Sequence, residues 1–432
     1  MSEYLHVEKP FLDQLASLGW KVVDQGCGIV PNDPARSLRL NFREWILPDV
    51  FRDAVRAINC TEDGRPWLTD SQLDDLRDQI LRQPGRTLLE ANEFVQALLF
   101  KAQVDRNELT GESDPVVQLI DFAHPERNRF TAINQFRVNT PGAVKQCIIP
   151  DIVLFVNGIP LAVVECKIGG PTCANPMHDA FVQLQRYRND RIDTAAAGLR
   201  EGEPRLFHPN VLLIRTCGER ADYGTITASE EHYHGWRDIW PEQLRQYKPP
   251  LGVEREQETL IQGMLSKENL LTILRSCSVF QDTDSGKRIK AVCRYQQFRA
   301  AMKIVDRIRH GVTREERSGV IWHTQGSGKS LTMVFVARMM RSSPDLNDFK
   351  IVLVNDRVDL EEQLAKTAKL IGGRVNVIES IDEVRQQLST EASDLNMVMV
   401  HKFQERRVEL PETLAQALGI KEPPPAASTF GV

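Results

Sequence analysis

Pro150-Asp151-Ile152-Val153-Leu154-Phe155-Val156-Asn157-Gly158-Ile159-Pro160-Leu161-Ala162-Val163-Val164-Glu165-Cys166-Lys167 is the stretch that decides the fold. Two apolar runs flank Asn157-Gly158, a pair that tolerates positive φ, so the stretch predicts a β-hairpin. Asp151, Glu165 and Lys167 are the only charged residues between Cys147 and Ile168. Burying three charges with nothing to pair them is costly, and the pattern P-D…E-x-K supplies a reason to bear that cost. It would set two carboxylates on one Mg²⁺ and a lysine beside the attacking water, the arrangement needed to cleave a phosphodiester. The plain alternative is an Asp turn and an exposed Glu-Lys pair at a strand end.

Register tests the pattern. A two-residue Asn157-Gly158 loop pairs Asp151 with Val164 and turns Glu165 to the other face, where it cannot share an ion with Asp151. A loop of odd length, or a bulge near Gly158, pairs Asp151 with Glu165 instead. Pro160 argues against the tight two-residue turn because it cannot donate to a ladder. Lys167, two residues on, shares the face of Glu165.

Outward from the hairpin, Gln135 to Val138 and Asn210 to Arg215 read as further strands. Asn175-Pro176 opens a helix to about Asp190 that carries Gln183 and Tyr187 at i, i+4. Residues before about 135 read as largely helical, with amphipathic stretches such as Leu88 to Leu99. Turn-rich segments at Lys248-Pro249-Pro250 and Asp282-Thr283-Asp284-Ser285-Gly286 place a domain seam between about 250 and 290.

Beyond the seam the sequence alternates strand and helix: Val320 to Thr324, Lys329 to Met340, Ile351 to Asn355, Leu360 to Leu370, Val375 to Glu379, Ile381 to Leu388 and Met397 to His401. That is a parallel, doubly wound layout. Between its first strand and helix lies Trp322-His323-Thr324-Gln325-Gly326-Ser327-Gly328-Lys329-Ser330, the setting of a Walker A phosphate loop, with His323 where the first glycine is expected. Backbone N–H groups from Thr324 through Gly328 would wrap the phosphates of ATP, Lys329 would reach the β and γ phosphates, and Ser330 would hold Mg²⁺. The strand Ile351 to Asn355 ends in Asp356-Arg357 and resembles the motif after Walker A in superfamily-two helicases, with a strand-to-helix turn capped by Asp359 as the plain alternative. Gln297, in Arg294-Tyr295-Gln296-Gln297-Phe298, resembles the adenine-reading glutamine of these motors, against a solvated helix face as the alternative. Asp382-Glu383 is the one candidate for a water-activating acid box, and a carboxylate-rich first turn of a helix is the better reading of it. The expected motor lobe is therefore incomplete, and the chain reads as the N-terminal fragment of a longer motor protein.

The chain has 432 residues, enough for about three domains at the usual size. A hydrophobic fraction of 41% and a charged fraction of 26% exclude wholesale disorder, and the net charge of −5 confines any DNA contact to local patches. Eight cysteines without a C-x-x-C pair fit free thiols and a cytoplasmic protein. Neither a secretory signal nor an apolar run long enough to cross a membrane is present.

The P-D…E-x-K hairpin, the Q-x-x-x-Y spacing of Gln183 and Tyr187, and the phosphate loop in a motor-like layout together resemble the restriction subunit of type I restriction-modification enzymes. The resemblance implies an α/β fold: a restriction-endonuclease-like nuclease domain, expected over 1–255, then a linker over 256–290. A partial RecA-like lobe over 291–420, parallel and doubly wound, and a disordered tail over 421–432 would follow. It further implies that Asp151 and Glu165 bind metal, that Lys167 is catalytic, and that Gln183 and Tyr187 orient the site or the DNA. The implied partners are double-stranded DNA and the methyltransferase and specificity subunits. ATP-driven pumping and distant cleavage of unmodified DNA are the implied activities, with no motor activity from these residues alone. Two rivals stand beside this reading: a nucleotide-binding or complex-docking fragment without cleavage, and a stand-alone nuclease-helicase.

Overall fold

The computed structural model describes residues 2–171, 173–239, 255–283, 285–324 and 326–355, and beyond these only 369–371, 375–378, 383, 386–387, 389 and 395–399. The chain divides into two compact units, Met1–Ala300 and Ala301–Val432. Gln325, Asp356-Arg357, most of the helices expected at 360–370 and 381–388, Asp382, His401 and the tail 421–432 lie outside the described residues.

The first unit is built on a six-stranded mixed sheet whose spatial order follows the sequence. Its strands are β1 (Lys21–Val23), β2 (Phe130–Asn134), β3 (Ile152–Val156), β4 (Ile159–Cys166), β5 (Leu212–Thr216) and β6 (Ala221–Gly224). β1 runs parallel to β2 and β4 parallel to β5, while the β2/β3, β3/β4 and β5/β6 pairs are antiparallel. Every residue of β3 and β4 is buried, so the sheet is covered on both faces, which explains why these strands read as continuous apolar runs rather than alternating ones. Helix α1 (Lys9–Ser17) packs beside β1, and helix α2 (Pro48–Ile58) meets the β3/β4 turn. Helix α3 (Pro176–Arg188), capped by the Asn175 side chain accepting from the His178 N–H, packs on β4 and β5.

Two differences from the sequence reading stand out in this unit. The strand expected at Gln135 to Val138 is displaced: β2 ends at Asn134, and Gln135 adopts a left-handed φ of 48° that no strand allows. The segment expected as a linker at 256–290 forms helices Glu256–Met264 and Lys267–Ser276 and a hairpin of Ser278–Asp282 with Arg288–Val292. Of the turn residues read as a seam, Asp282, Thr283, Ser285 and Gly286 lie at the tip of that hairpin, and Lys248-Pro249-Pro250 lies outside the described residues. Buried Leu260, Ile261, Leu270 and Leu274 tie the helices into the unit, and Lys290 donates from its buried ammonium to Asn92 Oδ1 at 2.9 Å and the Asn210 carbonyl at 2.6 Å.

In the second unit the described strands are β7 (Ile351–Asn355), β8 (Val375–Ile378) and β9 (Leu395–Met399), all parallel with β9 in the centre. Helix α4 (Lys329–Ser342) follows the glycine loop. The strand expected at Val320 to Thr324 does not form. Those residues have no ladder partner among the described strands, and Val320 and Trp322 are 95% and 90% exposed. An apolar run becomes a strand only when a neighbour takes up its backbone hydrogen bonds.

Candidate active site

The hairpin resolves the register question through two devices at once. Asn157 and Gly158 form a two-residue turn with φ of 50° and 76°, so the objection drawn from Pro160 fails. Val156 and Ile159 close the turn, and Pro160 opposite Phe155 falls where an N–H would face away from β3, so its missing donor leaves no gap in the ladder. A bulge then intervenes: Phe155 opposes Pro160 but Leu154 opposes Ala162, leaving Leu161 as the extra residue. The shift sets Ile152 opposite Val164, and one step further Asp151 opposite Glu165. Gly158 is required twice over, for its φ and because a Cβ there would lie 2.7 Å from the Leu47 carbonyl oxygen and 2.8 Å from the Phe51 nitrogen at the start of α2.

Side chains converge as the register demands. Lys167 Nζ lies 2.6 Å from Glu165 Oε1 and 3.7 Å from Asp151 Oδ2, so one ammonium bridges both carboxylates. The other anchor of Asp151 Oδ2 is the Cys166 backbone N–H, which donates at 2.7 Å. Glu165 is 1% exposed, and its Oε2 is buried without a hydrogen-bond partner within 3.5 Å among the described residues. Gln183 Nε2 donates to the Tyr187 hydroxyl at 2.9 Å, which donates in turn to the Ile149 carbonyl at 3.0 Å. The i, i+4 pair on α3 thus holds the backbone two residues before Asp151.

Two acids that the sequence reading passed over complete the surroundings. Glu3 Oε1 lies 4.0 Å from Lys167 Nζ while its Oε2 accepts from the Ile168 N–H at 3.1 Å. Glu8 ends a π-helical turn, Tyr4–Glu8, that leads into α1, and it is 2% exposed. Its Oε1 accepts from Asn134 Nδ2 at 2.7 Å and its Oε2 from Gln135 Nε2 at 3.0 Å. The signal for Glu8 was legible: it shares a helical face with Leu12 and Leu15, both buried, and an acid on a buried face needs a partner. Gln135 left no such signal.

The electrostatics follow from crowding. Burial, then the charge of Asp151, pushes the Glu165 carboxyl up to about 8. Burial is also the chief cause that raises Asp151, and it lifts Glu8 to about 8 against the hydrogen bond from Asn134. For Lys167 burial works toward a lower value, and the neighbouring carboxylates of Glu165 and Asp151 outweigh it, so the ammonium stays charged. Glu165, Asp151 and Glu3 face one lysine and Glu8 faces Asp151, and the crowding that keeps protons on Glu165 and Glu8 is what a cation would relieve. Among the described residues no three His, Cys, Asp or Glu side chains form a ready metal cluster. The residues present nevertheless suit a hard cation held by two carboxylates and completed by water and phosphate oxygens, and the orphaned Glu165 Oε2 is the atom such an ion would satisfy.

In the second unit Gly326 and Gly328 take φ of 76° and 79°, and Gly328 is the N-cap of α4, which begins at Lys329 and Ser330. The Ser327 hydroxyl and N–H both donate to the Thr324 carbonyl, closing the loop. Lys329 borders a cavity of about 420 Å³ walled chiefly by apolar groups, among them Met333, Ile351 and Leu353. Gln297 falls in the first unit, buried, with its Oε1 accepting from the Arg294 N–H at 2.8 Å. No helix among the described residues is long and apolar enough to cross a membrane, and all eight cysteines are free.

Comparison with known proteins bears on both units. Residues 1–232, more than half of the chain, match the family described as type I restriction enzyme R protein N terminus. Residues 296–420 match the SWI2/SNF2 ATPase family. The chain is 29% identical over 405 residues to the type I restriction enzyme HindI endonuclease subunit of Haemophilus influenzae, covering 92% of this chain and 36% of that protein. It is 25% identical over 420 residues to a Methanocaldococcus jannaschii protein named for the type I restriction enzyme MjaIXP, covering 93% and 37%. A Staphylococcus aureus endonuclease subunit, SauMSSORF170P, is 24% identical over 409 residues, again covering 93% and 37%. The chain thus spans little more than a third of the length of these relatives. With a hairpin that sets Asp151 against Glu165 inside the matched region, and a phosphate loop inside the second match, the chain belongs to the family of type I restriction enzyme R proteins, over its N-terminal part.

Proposed function

We propose that the chain is the nuclease and the beginning of the motor of a type I restriction endonuclease subunit, which cleaves unmodified foreign double-stranded DNA and translocates it at the expense of ATP. The methyltransferase and specificity subunits would be its partners. The bulge at Leu154/Phe155 carries this reading, because without it Asp151 and Glu165 would face opposite sides of the sheet. The nuclease domain is assigned to the first unit, a restriction-endonuclease-like fold around the hairpin. A RecA-like lobe is assigned to the second, supported by its parallel strands and by the SWI2/SNF2 match.

Asp151 and Glu165 would hold Mg²⁺, which when bound lowers the pKa of its water and draws charge from the phosphoryl oxygen. Lys167, kept charged by both carboxylates, would then face the scissile phosphate and offset the negative charge that develops there. Tyr187 and Gln183 fix the Ile149 carbonyl and through it the entry to Asp151. In the second unit the backbone from Thr324 to Gly328 would cradle the phosphates of ATP, with Lys329 on the terminal phosphates and Ser330 on Mg²⁺. Gln325 is assigned to the same nucleotide site, whereas the adenine-reading role expected of Gln297 rests on its sequence motif alone.

The test is cleavage by the full-length subunit assembled with its methyltransferase and specificity partners. Asp151→Ala, Glu165→Ala and Lys167→Ala should each abolish cleavage while DNA-dependent ATP hydrolysis survives. Loss of both activities together in folded variants would refute the assignment.

A further inference from the structure

Gln135 is an anomaly that the proposed chemistry does not use. It is a non-glycine residue with φ of 48°, placed directly after β2 and beside the hairpin acids. Such conformations persist where surrounding bonds over-determine them, and they concentrate at functional sites. Here the bonds are all present. The Gln135 N–H donates to the Asp151 carbonyl at 2.8 Å, and its own carbonyl accepts from Gln25 Nε2 at 3.2 Å. Its side-chain amide lies between two acids, with Nε2 3.0 Å from Glu8 Oε2 and 3.5 Å from Asp151 Oδ1. Asp151 is thereby gripped at both oxygens, Oδ1 by this amide and Oδ2 by the Cys166 N–H.

Glu8 is held in its turn. Asn134 Nδ2 donates to Glu8 Oε1, and the same amide reaches Asp24 Oδ1 at 3.1 Å, while Asn134 Oδ1 accepts from the Gln25 N–H at 2.6 Å. A turn whose only task was to end β2 would need Gly or Asn at the left-handed position, with nothing required of the side chain. This position carries a longer amide that reaches two carboxylates, one of them a proposed metal ligand.

We infer that Gln135 is a positioning residue for metal binding: braced by Glu8, its amide fixes the orientation in which Asp151 presents its carboxylate. The inference rests on the nuclease reading. An ion at Asp151 and Glu165 needs both carboxylates preset, and a donor on the oxygen of a ligating carboxylate limits its rotation. Glu8 acts through Gln135 and is not assigned to the metal.

The experiment compares Gln135→Gly, Gln135→Asn and Glu8→Gln with the parent in the assembled complex, measuring the Mg²⁺ concentration for half-maximal cleavage and, in parallel, ATP hydrolysis. Gln135→Gly keeps the left-handed backbone without strain and removes only the amide. It should raise the Mg²⁺ requirement by about tenfold or more, with ATP hydrolysis unchanged and cleavage restored at high Mg²⁺. Gln135→Asn tolerates the same backbone but is too short to reach Asp151, and should resemble Gln135→Gly. Glu8→Gln should shift the requirement in the same direction, and the double variant should be no worse than Gln135→Gly because both act along one path. Asp151→Ala serves as the control. If it abolishes cleavage while Gln135→Gly keeps the parental Mg²⁺ dependence, the inference is wrong and the nuclease reading stands. If Asp151→Ala still cleaves, the nuclease reading falls and the inference falls with it.

Discussion

The carboxylate hairpin and the phosphate loop carry the same kind of sequence signal, an apolar run that ends in polar residues, but the two regions fold differently. β3 and β4 lie inside a sheet with neighbours on both sides, and every residue is buried. The run before the phosphate loop has no neighbour among the described strands and stays outside any ladder, exposed at Val320 and Trp322. The glycines of the loop still adopt their left-handed conformations, because those are local and need no sheet. A local motif survives without its ladder, whereas a strand does not.

That contrast can be broken most decisively by activity. Glu165→Ala should lower cleavage on the order of a thousandfold or more, since metal-assisted charge stabilisation contributes several kcal/mol. Lys329→Ala in the same complex should instead stop ATP hydrolysis. A Glu165 variant that loses ATP hydrolysis as well would show that the two regions are not separable.

Stability sharpens the comparison next. Leu154→Ala, at the bulge and fully buried, should cost the first unit about 3 kcal/mol in urea unfolding. Gly158→Ala should cost a similar amount, about 2 to 3 kcal/mol, because it combines a positive φ with a Cβ pressed against the Leu47 carbonyl and the Phe51 nitrogen. A change near zero at Gly158 would mean that the turn is not held as described.

pH provides a subtler probe. Glu165 and Glu8 are both raised to about 8 in the fold, in a site also faced by Glu3, Asp151, Lys167 and Tyr187. For acids raised in this way the folded state holds protons that the unfolded chain releases. Their contribution is full below the ordinary carboxylate range and is lost as pH rises through about 8. The urea midpoint of the first unit, with chelator present, should therefore fall between about pH 5 and about pH 8, and Glu165→Gln should flatten the slope. A midpoint that rises over that interval would overturn the assignment of the raised groups.

The smallest effect belongs to the exposed run. Trp322→Ala should change the stability of this chain by less than about 0.5 kcal/mol, since almost none of its surface is removed from water. A loss comparable to that of Leu154→Ala would show that the run is packed after all.

The sequence by itself determined the parts whose physics is local or periodic. Asn157-Gly158 specified the turn, the apolar runs specified two buried strands, Asn175-Pro176 started α3, and the 3.6-residue period brought Gln183 to Tyr187. The glycine loop before α4 was legible for the same reason. Tertiary structure decided what depends on distant partners. The bulge at Leu154/Phe155 chose which face Glu165 takes, and no feature of the local sequence distinguishes that register from its alternative. The contacts of Gln135 with Glu8, 127 residues away, were equally invisible. So was the fate of Val320 to Thr324, because a strand exists only through hydrogen bonds to a neighbour whose position the run itself does not encode.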